Sequence, residues 1–217
     1  MTRAERAAAL IGALPRIYPD AHCELDFADP LQLLVATILS AQCTDKRVNL
    51  VTMELFRVCR TARDYAGIAP EKLEKLVQST GFFRAKARNI RACCAALIAH
   101  HGGNVPPTME ALTALAGVGR KTANVVLGNV FGMAEGVVVD THVQRLSTRL
   151  GLTKNKTPEK IERDLMKLLP RECWTVFSHW LIWHGRRRCT ARKPDCAHCE
   201  LLVLCPSANV LPSRQPA

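Results

Sequence analysis

Apolar residues recur at three- and four-residue spacing along most of the chain, the signature of helices that bury one face. The period predicts helices near residues 30–40, 46–59, 70–78, 84–100, 107–115, 120–131, 141–150, 157–168 and 172–184. Gly81, His101-Gly102-Gly103, Gly117-Val118-Gly119 and Gly151 fall in the gaps and read as turns. Pro30 stands at a first helical position with Asp29 as its cap, and the run Leu31–Leu39 is so continuously apolar that it predicts a central helix buried on most sides. At the N-terminus, Thr2 and Glu5 are spaced as a capping box, which predicts a short amphipathic helix ending before Pro15. Val137-Val138-Val139 is the one strand-like run and is too short to found a sheet. No repeat of solenoid period is present, and the Pro- and Ser-rich segment after Cys205 reads as a frayed tail. The fold class expected is all-α.

Charge narrows the partners. Thirty Lys and Arg against nineteen Asp and Glu leave a formal net charge of +11, more than solubility requires. Nucleic acid is the first polyanion to consider and an anionic membrane surface the second. No stretch approaches the roughly twenty apolar residues of a spanning helix. The basic and apolar N-terminus resembles a signal peptide only superficially, because Arg3 and Arg6 interleave with its apolar positions.

Cysteine use points to chemistry. Four of the ten cysteines follow Cys189-x6-Cys196-x2-Cys199-x5-Cys205, and such closely spaced thiolates can converge on one centre without a large scaffold. Soft thiolates select iron–sulfur clusters or zinc. The spacing differs from the paired C-x2-C of a zinc ribbon and favours a cluster, with zinc the alternative. Cys23, Cys43, Cys59, Cys93, Cys94 and Cys173 lie in apolar or helical contexts and read as small hydrophobes. At most one of the adjacent Cys93 and Cys94 is expected to face the core. Free thiols imply a reducing intracellular compartment, the cytoplasm.

Leu115-Ala116-Gly117-Val118-Gly119-Arg120-Lys121-Thr122-Ala123 joins two helical segments. Both glycines permit positive φ and close backbone approach, and Val118 can anchor the turn. The amides and dipole at the start of the next helix favour an anion such as a DNA phosphate. A plain helix–turn–helix corner would use the same glycines. Lys121 shifts the balance, because a cation in the first turn opposes the macrodipole and is costly for a mere surface residue. Partly desolvated, its neutral amine could attack an electrophilic carbon. Asp140 follows the buried valines at the head of another helix, where it can serve as N-cap, as a carboxylate facing developing positive charge, or both.

These segments together resemble the endonuclease III family of helix–hairpin–helix DNA glycosylases. The resemblance rests on the hairpin, on Val138-Val139-Asp140-Thr141-His142 and on the four-cysteine tail. It rests also on Leu39-Ser40-Ala41-Gln42-Cys43-Thr44-Asp45 and Gly81-Phe82-Phe83-Arg84-Ala85-Lys86-Ala87. It runs from about Pro30 to Cys205. It implies a two-lobed fold, with residues 21–131 forming a helical barrel that carries the hairpin. Residues 1–20 and 132–217 would form a second domain holding a four-iron, four-sulfur cluster on Cys189, Cys196, Cys199 and Cys205. Lys121 would sit at the mouth of the cleft with Asp140 across it.

The implied activity is bifunctional. A monomer would flip a damaged, oxidised pyrimidine out of double-stranded DNA, or engage an abasic site, with Lys121 attacking the sugar C1′ and β-elimination cutting on the 3′ side. Gln42 and Phe82 match positions that fill the vacated gap, Gly117 and Gly119 hold a phosphate, and the loop before Cys196 presents Arg192 and Lys193 to the backbone. The resemblance places such an enzyme on the nucleoid, with the cluster in a structural role. Ala116 stands where the family usually has proline, and Phe82 where a smaller aliphatic wedge is common. An adenine-mismatch glycosylase shares hairpin and cluster, but generally lacks the lysine and carries a further C-terminal domain. A non-enzymatic iron–sulfur DNA sensor is the other class that the same basic surface would serve.

Overall fold

Asp29 accepts the Gln32 amide at 2.8 Å, and Pro30 opens the helix it caps. In this computed structural model, which describes residues 1–208, the seven residues from Leu33 to Leu39 of that helix are all buried. Fully burying a leucine or isoleucine contributes about 1.5–3 kcal/mol, so this helix is a main source of core stability. It is α2 (Pro30–Leu39), the expected central helix, and it packs against α3 (Asp45–Val58), α6 (Phe83–His101) and α8 (Arg120–Val130). The chain divides into two compact units, one formed by Glu24–Glu135 and the other by Met1–Cys23 with the chain from Gly136 onward.

The contiguous unit holds α2, α3, α4 (Ala62–Gly67), α5 (Pro70–Val77), α6, α7 (Met109–Thr113) and α8. Helix α6 packs on α4 and α5 as well as on α2, so it is covered over more than one face. That is why Cys93 and Cys94 are both buried, against the expectation of one, and burial pushes the Cys93 thiol up to about 12. Of the other cysteines read as core hydrophobes, Cys59 is buried, while Cys23, Cys43 and Cys173 are half-buried. Helix α4 was not expected; Thr61 and Asp64 form its capping box, each binding the other's backbone amide.

The other unit packs α1 (Arg3–Ile17), α9 (Thr141–Arg149), α10 (Pro158–Leu168) and α11 (Trp174–Arg187) around Leu10, Leu14, Leu146, Leu165, Phe177 and Leu181. The Thr2–Glu5 capping box is present. Helix α1, however, runs through Pro15 rather than ending before it. Proline removes one intrahelical donor there. The turn beyond it is held because the Tyr18 amide donates to the Leu14 carbonyl at 2.8 Å and both side chains are buried. Among the described residues every regular element is helical, and Val137–Val139 form a buried connection that joins no strand. Residues 209–217, most of the tail expected to fray, lie outside the described residues.

Candidate active site and cysteine cavity

The hairpin is built from local signals. Thr108 caps α7 through the Ala111 amide, and the Val118 amide closes a tight turn on the Leu115 carbonyl at 3.2 Å. Gly117 has φ of +77°, and a Cβ there would lie 2.9 Å from the Asn89 Cβ, so conformation and space both require glycine. Gly119 differs from expectation. Its φ of −91° is ordinary, and nothing would meet an added Cβ within 4 Å. Its contribution is the missing side chain: as N-cap of α8 it leaves the helix start without a side-chain cap. Val118 is buried and anchors the turn as expected.

Arg120 and Lys121 occupy the first two positions of α8, and no acidic residue shares the turn. Two cations at the positive end of a dipole destabilise the helix but make its start a strong anion site. Arg120 is steered by its bond to the Glu135 carbonyl at 3.3 Å. Lys121 is exposed, so the partial burial expected for its amine is not supplied by the protein chain.

Gln42 and Phe82 are both exposed, and they are the two non-glycine residues with positive φ among those described, at 53° and 48°. For ordinary L-residues this is a strained conformation that concentrates at functional sites. Each projects from a loop next to a helix start, ahead of α3 and α6 respectively.

Asp140 lies in the other unit, half-buried, where its carboxylate caps α9 by accepting the Val143 amide at 2.8 Å. Behind it, Arg145 donates to His142 Nδ1 at 3.2 Å and to the carbonyls of Gly185 and Cys189, each at 3.0 Å. The helix that begins at Asp140 is thereby tied to the end of α11 and the first cysteine of the motif. Burial pushes the His142 imidazole below its usual value, against an opposing pull from Asp140.

Cys189, Cys196, Cys199 and Cys205 line one partly open cavity, shared with Leu146, Leu150 and Leu201. All four are free thiols. Among the described residues no three Cys, His, Asp or Glu side chains are close enough to hold one metal ion. Four thiols on one cavity are the soft donor set that suits an iron–sulfur cluster or zinc. Donors face the sulfurs. Arg149 Nη1 lies 3.2 Å from Cys189 Sγ, and its guanidinium also binds the Thr190 and Ala191 carbonyls at 2.8 Å. His184 Nε2 lies 3.6 Å from Cys199 Sγ while its Nδ1 pairs with the Tyr18 hydroxyl at 2.9 Å. Arg188 is held between Asp195 and Glu200 at 2.9 Å each. Arg192 and Lys193 are exposed on the loop that Arg149 pins.

Arg149, His184 and Tyr18 belong to no local motif: they lie 40, 15 and 181 positions from the sulfurs they serve directly or through one another. Lys86 carries a visible signal that the expected site leaves without a role, a lysine one turn before Ile90 on the apolar stripe of α6.

The HhH-GPD superfamily of base excision DNA repair proteins matches residues 35–171. Endonuclease III of Synechocystis sp. is 54% identical over 208 residues, covering 96% of this chain and 95% of the relative. This chain belongs to the endonuclease III family. Endonuclease III of Bacillus subtilis is 45% identical over 87% of this chain and 86% of its own length. Among solved structures, a trapped endonuclease III–DNA covalent intermediate superposes with a TM-score of 0.92 at 43% identity, covering 97% of this chain and 99% of that one. A non-covalent endonuclease III–DNA complex gives 0.91 at 44% identity. As an endonuclease III homologue the chain is a base excision repair DNA glycosylase and abasic-site lyase. No helix among the described residues is long and apolar enough to cross a membrane.

Proposed function

We propose that this chain excises oxidised pyrimidines from duplex DNA through a Schiff base on Lys121. The observation that carries the reading is Lys121 itself, exposed at a helix start that has no side-chain cap and directly follows the Gly117–Gly119 hairpin. The unprotonated Nζ attacks C1′ of the extruded nucleotide, and the C1′–N bond breaks as the base leaves with its electron pair. Loss of a proton from nitrogen and opening of the sugar give the iminium. A C2′ proton then departs, the C3′–O bond breaks on the 3′ side, and water releases the lysine. Asp140, a fixed carboxylate, stabilises the positive charge that develops at the sugar. Gln42 and Phe82 fill the gap left by the extruded nucleotide, since amide and aromatic wedges can replace lost stacking.

DNA is the partner, engaged by a monomer, and the cytoplasmic nucleoid is the setting. The trapped covalent DNA intermediate of the related endonuclease III supports a nucleophilic enzyme. Gly117 and Gly119 bind one phosphate through backbone amides, and Arg192 and Lys193 bind others. The four cysteines would hold a four-iron, four-sulfur cluster, with Arg149 and His184 donating to their sulfurs. When bound, it supplies iron–thiolate bonds that close the loop carrying Arg192 and Lys193.

Borohydride trapping on a duplex containing thymine glycol tests the reading. A covalent adduct with the wild type and none with Lys121→Gln is the expected result. Lys121→Gln should retain DNA affinity while losing both base release and strand cleavage. No wild-type adduct on this duplex or on an abasic control would overturn the assignment, and base release by Lys121→Gln would point to a water nucleophile.

A further inference from the structure

Lys86 is a lysine where the fold would ordinarily place an apolar residue. It is 4% exposed, on the face of α6 that carries Ala87, Ile90 and Leu97 into the core. Its Nζ donates to the Leu39 carbonyl at 2.7 Å and to the Thr80 carbonyl at 2.8 Å. Its own amide donates to the Phe82 carbonyl at 3.1 Å. Leu39 is the last residue of α2, and Thr80 ends the short 3-10 turn Gln78–Thr80. The ammonium thus meets two helical ends, where carbonyls lack intrahelical donors and the dipole is negative.

The placement is selective. Leu39 is three residues before Gln42, and Thr80 two before Phe82, the two residues in strained left-handed conformations. A buried ammonium is costly unless hydrogen-bonded, and methionine would fill the same volume without that cost. Two carbonyls within 2.8 Å of one nitrogen are held at a fixed separation, and each begins the segment that carries a strained, exposed side chain.

We infer that Lys86 is a positioning residue that sets the spacing of Gln42 and Phe82 before DNA arrives. The inference rests on the reading of those two side chains as gap-filling wedges. The lysine touches no DNA atom and takes no part in bond breaking. Wedges aimed in advance spare the complex the entropy of ordering two loops as the base leaves the stack.

The test compares two substrates with the cluster-loaded protein. Thymine glycol paired with adenine in a duplex needs the gap filled, whereas an abasic site in a single strand has no opposite strand. Lys86→Met is expected to slow single-turnover base release on the duplex about tenfold to a hundredfold, as misplacement does. β-Elimination on the single strand should stay within about twofold of wild type. Lys86→Gln, which keeps an amide donor, should fall between, and it carries the comparison should Lys86→Met not fold.

In a Gln42→Ala/Phe82→Ala background, Lys86→Met should add no further loss on the duplex, because coupled residues are non-additive. Equal losses on both substrates, an unchanged duplex rate, or full additivity in that background would overturn the inference. If the double variant alone leaves the duplex rate unchanged, the wedge reading has failed, and the inference falls with it for a distinguishable reason.

Discussion

The Asp140 carboxylate accepts the Val143 amide at 2.8 Å, so the residue assigned to the chemistry also caps the helix that follows it. Asparagine caps about as well as aspartate, whereas alanine costs about 1 kcal/mol. Asp140→Asn should therefore melt close to wild type, while Asp140→Ala melts lower. Both should lower turnover about a hundredfold or more, with smaller effects on DNA binding. Turnover intact in Asp140→Asn, with only Asp140→Ala melting lower, would leave the cap as its only role.

The two hairpin glycines should respond differently to alanine. At Gly117 the left-handed backbone costs roughly 1–2 kcal/mol, and contact with Asn89 adds to it. Gly119→Ala meets open space at an ordinary φ and should cost under about 1 kcal/mol through the weaker N-cap. Urea denaturation of the two variants measures the difference. Equal losses would mean that Gly119 is held by something other than its backbone.

Arg192 and Lys193 project from a loop whose backbone is fixed by Arg149 and by the Thr190 hydroxyl, which donates to the Lys193 carbonyl at 2.7 Å. If each meets a phosphate, Arg192→Ala and Lys193→Ala should each lower the slope of log affinity against log salt by about 0.9. Filter binding across a salt series reads this directly. An unchanged slope would remove that residue from the interface.

Asp164, on α10, gives the unit that holds α1 and α9–α11 an acid-sensitive bond. The Thr153 hydroxyl and then the Asn155 amide hold its carboxyl below the usual range. A depressed folded pKa contributes stability above the ordinary value of about 3.9, and this is lost as pH falls through the folded value. The melting-temperature advantage of wild type over Asp164→Asn should therefore be full near neutrality and shrink below about pH 4. An advantage independent of pH would show that the hydrogen-bond geometry, not the charge, matters.

Local chemistry was legible in the sequence where a feature closes over a few residues. Asp29 with Pro30, Thr2 with Glu5, and Asp140 before α9 each announced a helix start that the structure contains. The cysteine motif was readable for the same reason, since all four thiols fall within one short segment. Features that depend on distant packing were not. Helix α1 continues through Pro15 because Tyr18 finds a buried place, and Cys93 and Cys94 are both covered because α6 has neighbours on several sides. Helix α4 has six residues, too few for a period to register. Gly119 looked like Gly117 in sequence, but only backbone dihedrals separate a residue that needs positive φ from one that merely leaves a helix uncapped. Lys86 bonds to a carbonyl 47 positions away, which no local pattern could indicate.

Helix α1 is made before most of its partners and completed after them. Its buried face, Ala7, Leu10 and Leu14, shares a core with residues that follow Gly136, including Val143, Leu146, Ile161 and Phe177. At about 5–20 residues per second, a ribosome spends on the order of ten seconds or more between the two. Glu24–Glu135 can meanwhile assemble its own core from contiguous chain. During translation the leading helix therefore waits with its apolar stripe uncovered, and docks when the cysteine-bearing end emerges.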